Sequence, residues 1–175
     1  LSNAKGEALL LRAYNHFILS NEFGRPYNGK TSQTDPGLYY ATGIADFTAA
    51  AEQSNRGTVA DFYAKIAADI EAGIPLINDT YEVPKYHFNK QAAYAFATRF
   101  YLYYEKWEKA KEYADKLLGS NPAAYLRDYK TLQAMPLSNS DQAVKIAEAY
   151  CSASAGCNLL VQTSVSSAGM ALAPW

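Results

Sequence analysis

Apolar residues fall at helical spacing in four stretches of the chain, and polar residues occupy the intervening positions. Over residues 3–22, Leu10, Tyr14, Phe17 and Ile18 repeat every three or four positions, while Lys5, Glu7 and Arg12 supply the polar side, which predicts a first helix. Ser2 or Asn3 is placed to cap its start, and Gly24 followed by Pro26 ends it. Residues 59–73 carry a second stripe of Val59, Phe62, Tyr63, Ile66 and Ile70, capped by Thr58 and stopped by Gly73 and Pro75. Asp61, Lys65, Asp69 and Glu71 are read as its outward face, with Lys65 and Asp69 as an i,i+4 ion pair and the carboxylates as solvated surface. Asn89 caps a third helix running to about Tyr104, and a fourth spans about Glu108–Leu118 and ends at Gly119. Asn121-Pro122 opens a short helical turn around Ala123–Tyr129, and Asp141–Tyr150, capped by Ser140, forms one more helix. In the tail, Leu159-Leu160-Val161 is a strand candidate.

Between the first two helices, residues 24–57 hold no amphipathic run and are dense in Gly, Pro, Thr, Asn and Asp. An ordered loop of this length is uncommon unless it is functional. Its Tyr27, Tyr39, Tyr40 and Phe47 argue against plain disorder.

Residues 91–124 fit one tetratricopeptide unit. Tyr94, Ala97 and Tyr101 occupy signature positions of its first helix, and Trp107, Ala110 and Pro122 those of its second. Ala97 and Ala110 let two antiparallel helices approach, Trp107 covers the turn and Pro122 breaks the chain before the next unit. Thr98, Ala114 and Leu117 depart from the pattern. One such pair cannot bury its own faces, so helices 3–22 and 59–73 are expected to form a second pair, split by the loop. Tyr101, Tyr103 and Tyr104 are neighbours in sequence, so one of them must face away from the pair's own interface. The expected fold class is all-α: antiparallel tetratricopeptide-like helix pairs with a long irregular insertion. Residues 1–136 form the helical core (helix 3–22, loop 24–57, helix 59–73, pair 89–122), and residues 137–175 a helix plus an irregular tail.

Composition narrows the function. Of 175 residues 15 are Tyr, nearly double an even share, so either packing or ring stacking must employ them. A formal net charge of −1 gives no drive toward a polyanion, which sets nucleic acid aside as a partner. No apolar run is long enough to span a membrane. Cys151 and Cys157 are spaced so that either a short-loop disulfide or two free thiols fits, and His16 and His87 lie too far off in sequence for a zinc motif. No nucleophile–histidine motif or phosphate-cradling glycine pattern occurs, so neither a catalytic residue, a cofactor nor a metal is assigned.

Three stretches together resemble the SusD/RagB family of bacterial nutrient-binding proteins. The first runs from Ala4-Lys5-Gly6-Glu7-Ala8-Leu9-Leu10-Leu11-Arg12-Ala13-Tyr14 through Phe17 to Phe23-Gly24-Arg25-Pro26-Tyr27. The second is Arg56-Gly57-Thr58-Val59-Ala60-Asp61-Phe62-Tyr63, continuing through Ile66 and Asp69-Ile70-Glu71 to Gly73-Ile74-Pro75-Leu76. The third is Pro84-Lys85-Tyr86-His87-Phe88-Asn89-Lys90-Gln91-Ala92-Ala93-Tyr94-Ala95, followed by Arg99-Phe100-Tyr101-Leu102-Tyr103-Tyr104. The resemblance covers about residues 1–130. It implies a surface-exposed lipoprotein of the outer membrane that caps a TonB-dependent transporter and captures oligosaccharides, or in some branches peptides, without catalysis. It further implies that this chain is an internal section of a longer protein whose lipid anchor lies upstream.

A sugar offers apolar C–H faces to aromatic rings and hydroxyls to Asn, Asp and Arg. The loop holds that mixture, so Arg25, Tyr27, Asn28, Asp35, Tyr39 and Tyr40 are the candidate ligand-binding residues, with Asp46 in the same loop. The competing role for Tyr39-Tyr40 is to pin the loop to the helices, and for Arg25-Pro26-Tyr27 to form a structural turn. The alternative function is a tetratricopeptide-like scaffold for a protein partner.

Overall fold

The computed structural model describes residues 1–43, 56–135 and 140–160. Among the described residues there are six α-helices: α1 (Ser2–Phe23), α2 (Val59–Gly73), α3 (Lys90–Tyr103), α4 (Trp107–Leu118), α5 (Tyr129–Gln133) and α6 (Ser140–Cys151). Single 3-10 turns follow α2 (Ile74–Leu76), precede α3 (Pro84–Tyr86) and follow α4 (Pro122–Tyr125). No strand occurs among the described residues, so the fold is all-α, as the hydrophobic pattern predicts.

Helices α1 and α2 pack as one pair and α3 and α4 as another. The first pair crosses where Gly6 meets Gly73. A Cβ built on Gly6 lies 2.8 Å from the Gly73 carbonyl oxygen and 2.8 Å from the Leu76 Cβ, and one built on Gly73 lies 3.0 Å from the Gly6 carbonyl oxygen. Only glycine permits backbones this close. Gly73 therefore serves the packing of the pair as much as the end of α2.

The start of α2 leaves no backbone donor idle. Val59 N–H donates to the Asp35 carbonyl and Ala60 N–H to the Ser32 carbonyl, both at 2.9 Å. Asp61 N–H donates to Thr58 Oγ1, Thr58 N–H donates to the Asp61 carboxylate, and Phe62 N–H donates to the Thr58 carbonyl. The four donors that every helix start exposes are thus met by a capping box and by the inserted loop. The loop is part of how α2 begins.

The second pair closes through small and aromatic residues. Ala97 and Ala110 are buried, and Tyr101 and Tyr113 stack nearly parallel with ring centroids 5.7 Å apart. An aromatic seam joins the two pairs: Phe17 meets Phe96 and Phe100 at 5.9 and 5.8 Å, and Tyr63 stacks on Phe100 at 5.7 Å. Offset and edge-on rings in this distance range add stabilisation beyond the area they bury. Tyr101 is buried and Tyr104 half-buried, so Tyr103, 46% exposed, is the member of the trio that faces out.

Four expectations change. Neither Ser2 nor Asn3 caps α1: the N-cap is Leu1, without a side-chain hydrogen bond, and Asn3 instead accepts from the Asn78 N–H. Trp107 opens α4 and is 60% exposed, so the turn is closed without it. The predicted turn around Ala123–Tyr129 divides into Pro122–Tyr125 and the start of α5, because Asp128 accepts from Thr131 N–H and begins a new helix. Leu159 and Leu160 form no strand (Val161 lies outside the described residues). They pack on the aromatic core, while Asn89 Nδ2 donates to the Leu159 carbonyl at 2.8 Å. Phe47, Asp46 and Trp175 also lie outside the described residues.

Gly6→Ala tests the crossing. The added methyl group meets backbone and a Cβ, neither of which can swing aside, so overpacking of roughly 1–3 kcal/mol outweighs the gain in helix propensity of up to ~1 kcal/mol. Urea unfolding is expected to register a net loss of about 1–2 kcal/mol.

Candidate functional site

The described part of the loop runs from the end of α1 to the start of α2 and packs against both. Asn28 Oδ1 accepts from Lys30 N–H, and Asn28 N–H donates to the buried Ser32 hydroxyl, which closes a tight turn. Pro36 bridges Thr58, and Gly37 lies so near Thr58 that a Cβ would sit 2.3 Å from its carbonyl oxygen. Arg56 Nε donates to the Gly37 carbonyl.

Of the six candidate residues, three are polar groups at or near the surface and three are tyrosines. Arg25 and Asp35 bond each other at 2.7 Å across an exposed surface, an arrangement worth little in water. Asn28 is exposed and shapes its own turn. Tyr27 is half-buried, tilted on Tyr63 at 5.3 Å and edge-on to Tyr104 at 4.8 Å. Tyr39 is half-buried. Tyr40 is only 6% exposed: its ring stacks on His16 at 4.0 Å, and Arg12 lies 5.7 Å from its ring centroid. A ring so covered has no face left for a sugar, so Tyr40 pins the loop.

What Tyr40 is pinned to is a carboxylate that the sequence pattern placed outside. Asp69 is 7% exposed. Arg12 Nε and Nη2 donate to its two oxygens at 2.6 and 2.7 Å, and the Tyr40 hydroxyl donates to Oδ2 at 2.6 Å. The expected Lys65–Asp69 pair is therefore replaced by a bidentate Arg12–Asp69 pair between α1 and α2. A buried carboxylate requires such partners. Burial first, and then the Asp69 carboxylate, push the Tyr40 hydroxyl far above the ordinary phenol range. One α-helical turn after Arg12, His16 completes the cluster: its Nδ1 meets the Arg12 carbonyl at 2.8 Å and its Nε2 accepts from Ala41 N–H at 3.0 Å. With Nε2 as acceptor, Nδ1 carries the proton and the ring is neutral. Burial, the largest influence, holds the imidazole below its ordinary value.

Two further carboxylates repeat the arrangement. Glu7 accepts from the Tyr81 hydroxyl at 2.8 Å and from Phe88 N–H at 3.0 Å, and it lies 3.1 Å from His87 Nδ1. Desolvation works against its ionisation, but these donors outweigh it and hold the carboxyl below its ordinary value. Desolvation and the Glu7 carboxylate together push Tyr81 up to about 12. Glu71 accepts from Tyr101 at 2.6 Å and Tyr113 at 2.9 Å, with Lys109 Nζ at 3.2 Å. It thereby ties α2 to the second helix pair.

Pattern reading missed these clusters, although one signal was present. Asp69 follows Ile66 by three positions and Phe62 by seven, so it lies within the apolar stripe of α2 rather than opposite it. A carboxylate inside a stripe calls for a cation, and Arg12 lies within the paired helix. Glu71 carries no such signal.

Two open clefts lie beside α3. One, of 410 Å³, is lined by Asp79, Glu82, Lys85, Asn89 and Gln91 among others. The other, of 320 Å³, is lined chiefly by Tyr14, Phe88, Phe96 and Arg99, with Leu159 and Leu160 from the tail. Among the described residues no three His, Cys, Asp or Glu side chains are grouped to hold a metal, no helix is long and apolar enough to cross a membrane, and Cys151 and Cys157 are free thiols.

A family model described as SusD-like, "starch-binding associating with outer membrane", matches residues 1–102. The chain belongs to the SusD-like family. Solved structures agree. A SusD superfamily protein from Bacteroides thetaiotaomicron is 25% identical, with a TM-score of 0.62, and a SusD-like carbohydrate binding protein from Bacteroides vulgatus is 28% identical, with a TM-score of 0.59. Each match covers 77% of this chain and 28% of the solved one, so the chain spans little more than a quarter of those SusD-like proteins. No curated protein matches the chain. The matched residues contain α1, α2, nearly all of α3, and the Asp69 and Glu7 clusters.

Two measurements test the clusters. Asp69→Ala strands a half-buried guanidinium and a buried hydroxyl, and is expected to cost about 2–4 kcal/mol by denaturant unfolding. His16 sets a pH dependence. Its folded pKa is depressed, so its contribution is complete above the ordinary imidazole value of about 6.5 and declines as pH falls through the lower folded value. Unfolding free energy should drop between pH 7.5 and 5.5, and His16→Gln should flatten that drop.

Proposed function

We propose that the chain is part of a non-catalytic carbohydrate-capture protein, displayed on the outer-membrane surface and working with a TonB-dependent transporter. The observation that carries this reading is the match over residues 1–102 to a SusD-like family described as starch-binding and outer-membrane-associated. The carbohydrate binding named for the similar Bacteroides vulgatus protein points the same way. The internal chemistry suits capture. The Asp69, Glu7 and Glu71 carboxylates of the helical frame are each engaged with internal partners, which suits a rigid support.

Within this reading the exposed rim of the loop is the hydroxyl-reading surface. Arg25, Asn28, Asp35 and Tyr39 offer donors and acceptors, and Arg25, 67% exposed, can turn from the largely covered Asp35 toward sugar hydroxyls. Tyr27 and Tyr40 hold this rim in place. The division of the chain into a core over 1–136 and a separate tail over 137–175 belongs to the same proposal.

One observation favours a second reading, an interaction scaffold. Tyr40, the most aromatic-rich anchor of the loop, faces the helices rather than solvent. A peptide ligand is the outcome that would select this scaffold reading.

The test is a glycan array and calorimetry on the full-length protein. Soluble oligosaccharides are expected to bind. Asn28→Ala combined with Tyr39→Ala should weaken binding about fivefold or more, the loss of roughly 1 kcal/mol expected for a hydrogen-bonding group. Tyr40→Phe, which removes only the anchoring hydroxyl, should lower the melting temperature and weaken binding less than the Asn28→Ala, Tyr39→Ala combination does. Silence toward all glycans, with binding of peptides, would sink the carbohydrate reading.

A further inference from the structure

The chain has five arginines, all of them described, and four are committed to protein acceptors. Arg12 is bonded to Asp69, Arg25 to Asp35, Arg56 to the Gly37 carbonyl, and Arg127 to the Tyr150 carbonyl and Asn158. Arg99 donates to no described residue. It is held in place by rings alone, with its guanidinium carbon 5.9 Å from the centroids of both Phe17 and Tyr103. A planar, permanently charged fork with unspent donors, oriented by two aromatic rings, is ready to receive an anion.

Its setting narrows the anion. Ala92 stands three and four residues before Ala95 and Phe96, these stand four and three before Arg99, and Arg99 four before Tyr103, so all share a face of α3. The small Ala92 and Ala95 leave open the 320 Å³ cleft whose other walls are Tyr14, Phe88, Leu159 and Leu160. The volume is in the range of small-ligand sites. Among the described residues Arg99 is the one charged residue lining the cleft, so one negative charge is matched and a phosphate dianion is not. The remaining lining is aromatic and aliphatic, which suits a ring with an apolar face. Tyr103, half exposed beside Arg99, adds a stacking surface within reach of the same ligand.

We propose that this cleft takes a uronate, the acidic form of a sugar residue, with its carboxylate on the Arg99 guanidinium and its C–H face against the aromatic lining. The proposal rests on the carbohydrate reading above and names a substrate class for it: acidic rather than neutral glycans. Arg99 is exposed, so its charge is open to an incoming ligand, and a carboxylate fits the arginine fork with two parallel hydrogen bonds.

Calorimetry on the full chain with three probes decides it: an α-1,4-linked galacturonate trimer, its methyl ester, and a neutral hexose trimer. The uronate should bind at least tenfold more tightly than either uncharged probe, and 0.5 M NaCl should weaken it. Arg99→Gln should remove the preference while leaving the melting temperature and the neutral affinity unchanged. Ala95→Phe, which fills the cleft and leaves Arg99 in place, should abolish uronate binding, with thermal unfolding as the check on folding. Equal binding of all three glycans, insensitive to Arg99→Gln, overturns the acidic site and leaves carbohydrate capture standing. No binding of any glycan overturns the capture reading itself. Arg99-dependent binding of an acidic peptide without any uronate binding overturns the sugar assignment.

Discussion

The structure depends on one buried carboxylate. Asp69 is among the few polar groups sealed inside the first helix pair, and Arg12 and Tyr40 both reach it to occupy its carboxylate oxygens. Those partners come from different places, α1 and the inserted loop. One side chain on α2 therefore fixes the rotation of α1 about its axis and the point where the loop must return. Gly6 and Gly73 permit the close crossing, but glycine contacts are non-directional and tolerate sliding. The bidentate Arg12–Asp69 pair does not tolerate it. Specificity of register is the best-supported use of a buried ionic group, and here it extends from helix register to loop placement.

Tyrosines serve a carboxylate in three places, of which Asp69 is buried, Glu7 half-buried and Glu71 exposed. A helix-pair fold brings charged positions of one helix under the next, and a carboxylate there needs a donor on a long, stiff, mostly apolar side chain. Tyrosine provides one, since its ring packs while its hydroxyl reaches the carboxylate. Tyr40 serves Asp69, Tyr81 serves Glu7, and Tyr101 with Tyr113 serve Glu71. The clusters link, in turn, loop to helix, connector to α1, and one helix pair to the other. Every buried side-chain polar atom among the described residues finds a partner. Much of the tyrosine excess is explained by internal hydrogen bonding rather than by a stacking surface.

This is also where sequence reading reached its limit. Helix limits were legible because the signals are local: Thr58, Asn89 and Gly119 sit where the chain enters or leaves a helix, and the stripes on α2 and α3 repeat at the right spacing. Pairing of α1 with α2 was legible because a lone helix pair leaves faces unburied. The burial of Tyr40 was not, since a loop tyrosine bonded to Asp69 looks in sequence like a loop tyrosine awaiting ligand. Asp69 was misplaced because a carboxylate is surface by default, and its membership of the apolar stripe has meaning only beside a cation on another helix. For the candidate site, Arg25, Asn28 and Asp35 lie on the exposed or half-exposed rim as the loop's polarity suggests. Which rings stay accessible depends on contacts far apart in sequence.

Those contacts bear on how such a frame can serve binding. A capture surface gains affinity when its groups are already ordered, because the entropy of fixing them is not then drawn from the ligand. The described part of the loop meets that condition. Its backbone carbonyls cap α2, its Tyr40 is anchored on Asp69, and its Tyr27 is wedged between Tyr63 and Tyr104. The cost is that anchored groups cannot also contact a ligand, so recognition passes to side chains the frame does not use. Across the described arginines that principle separates Arg99 from the rest, for it is oriented by Phe17 and Tyr103 yet donates to no described residue. A group that is ordered without being satisfied is what a preorganised site requires. In this chain the frame's own hydrogen bonding is complete enough to make that exception visible.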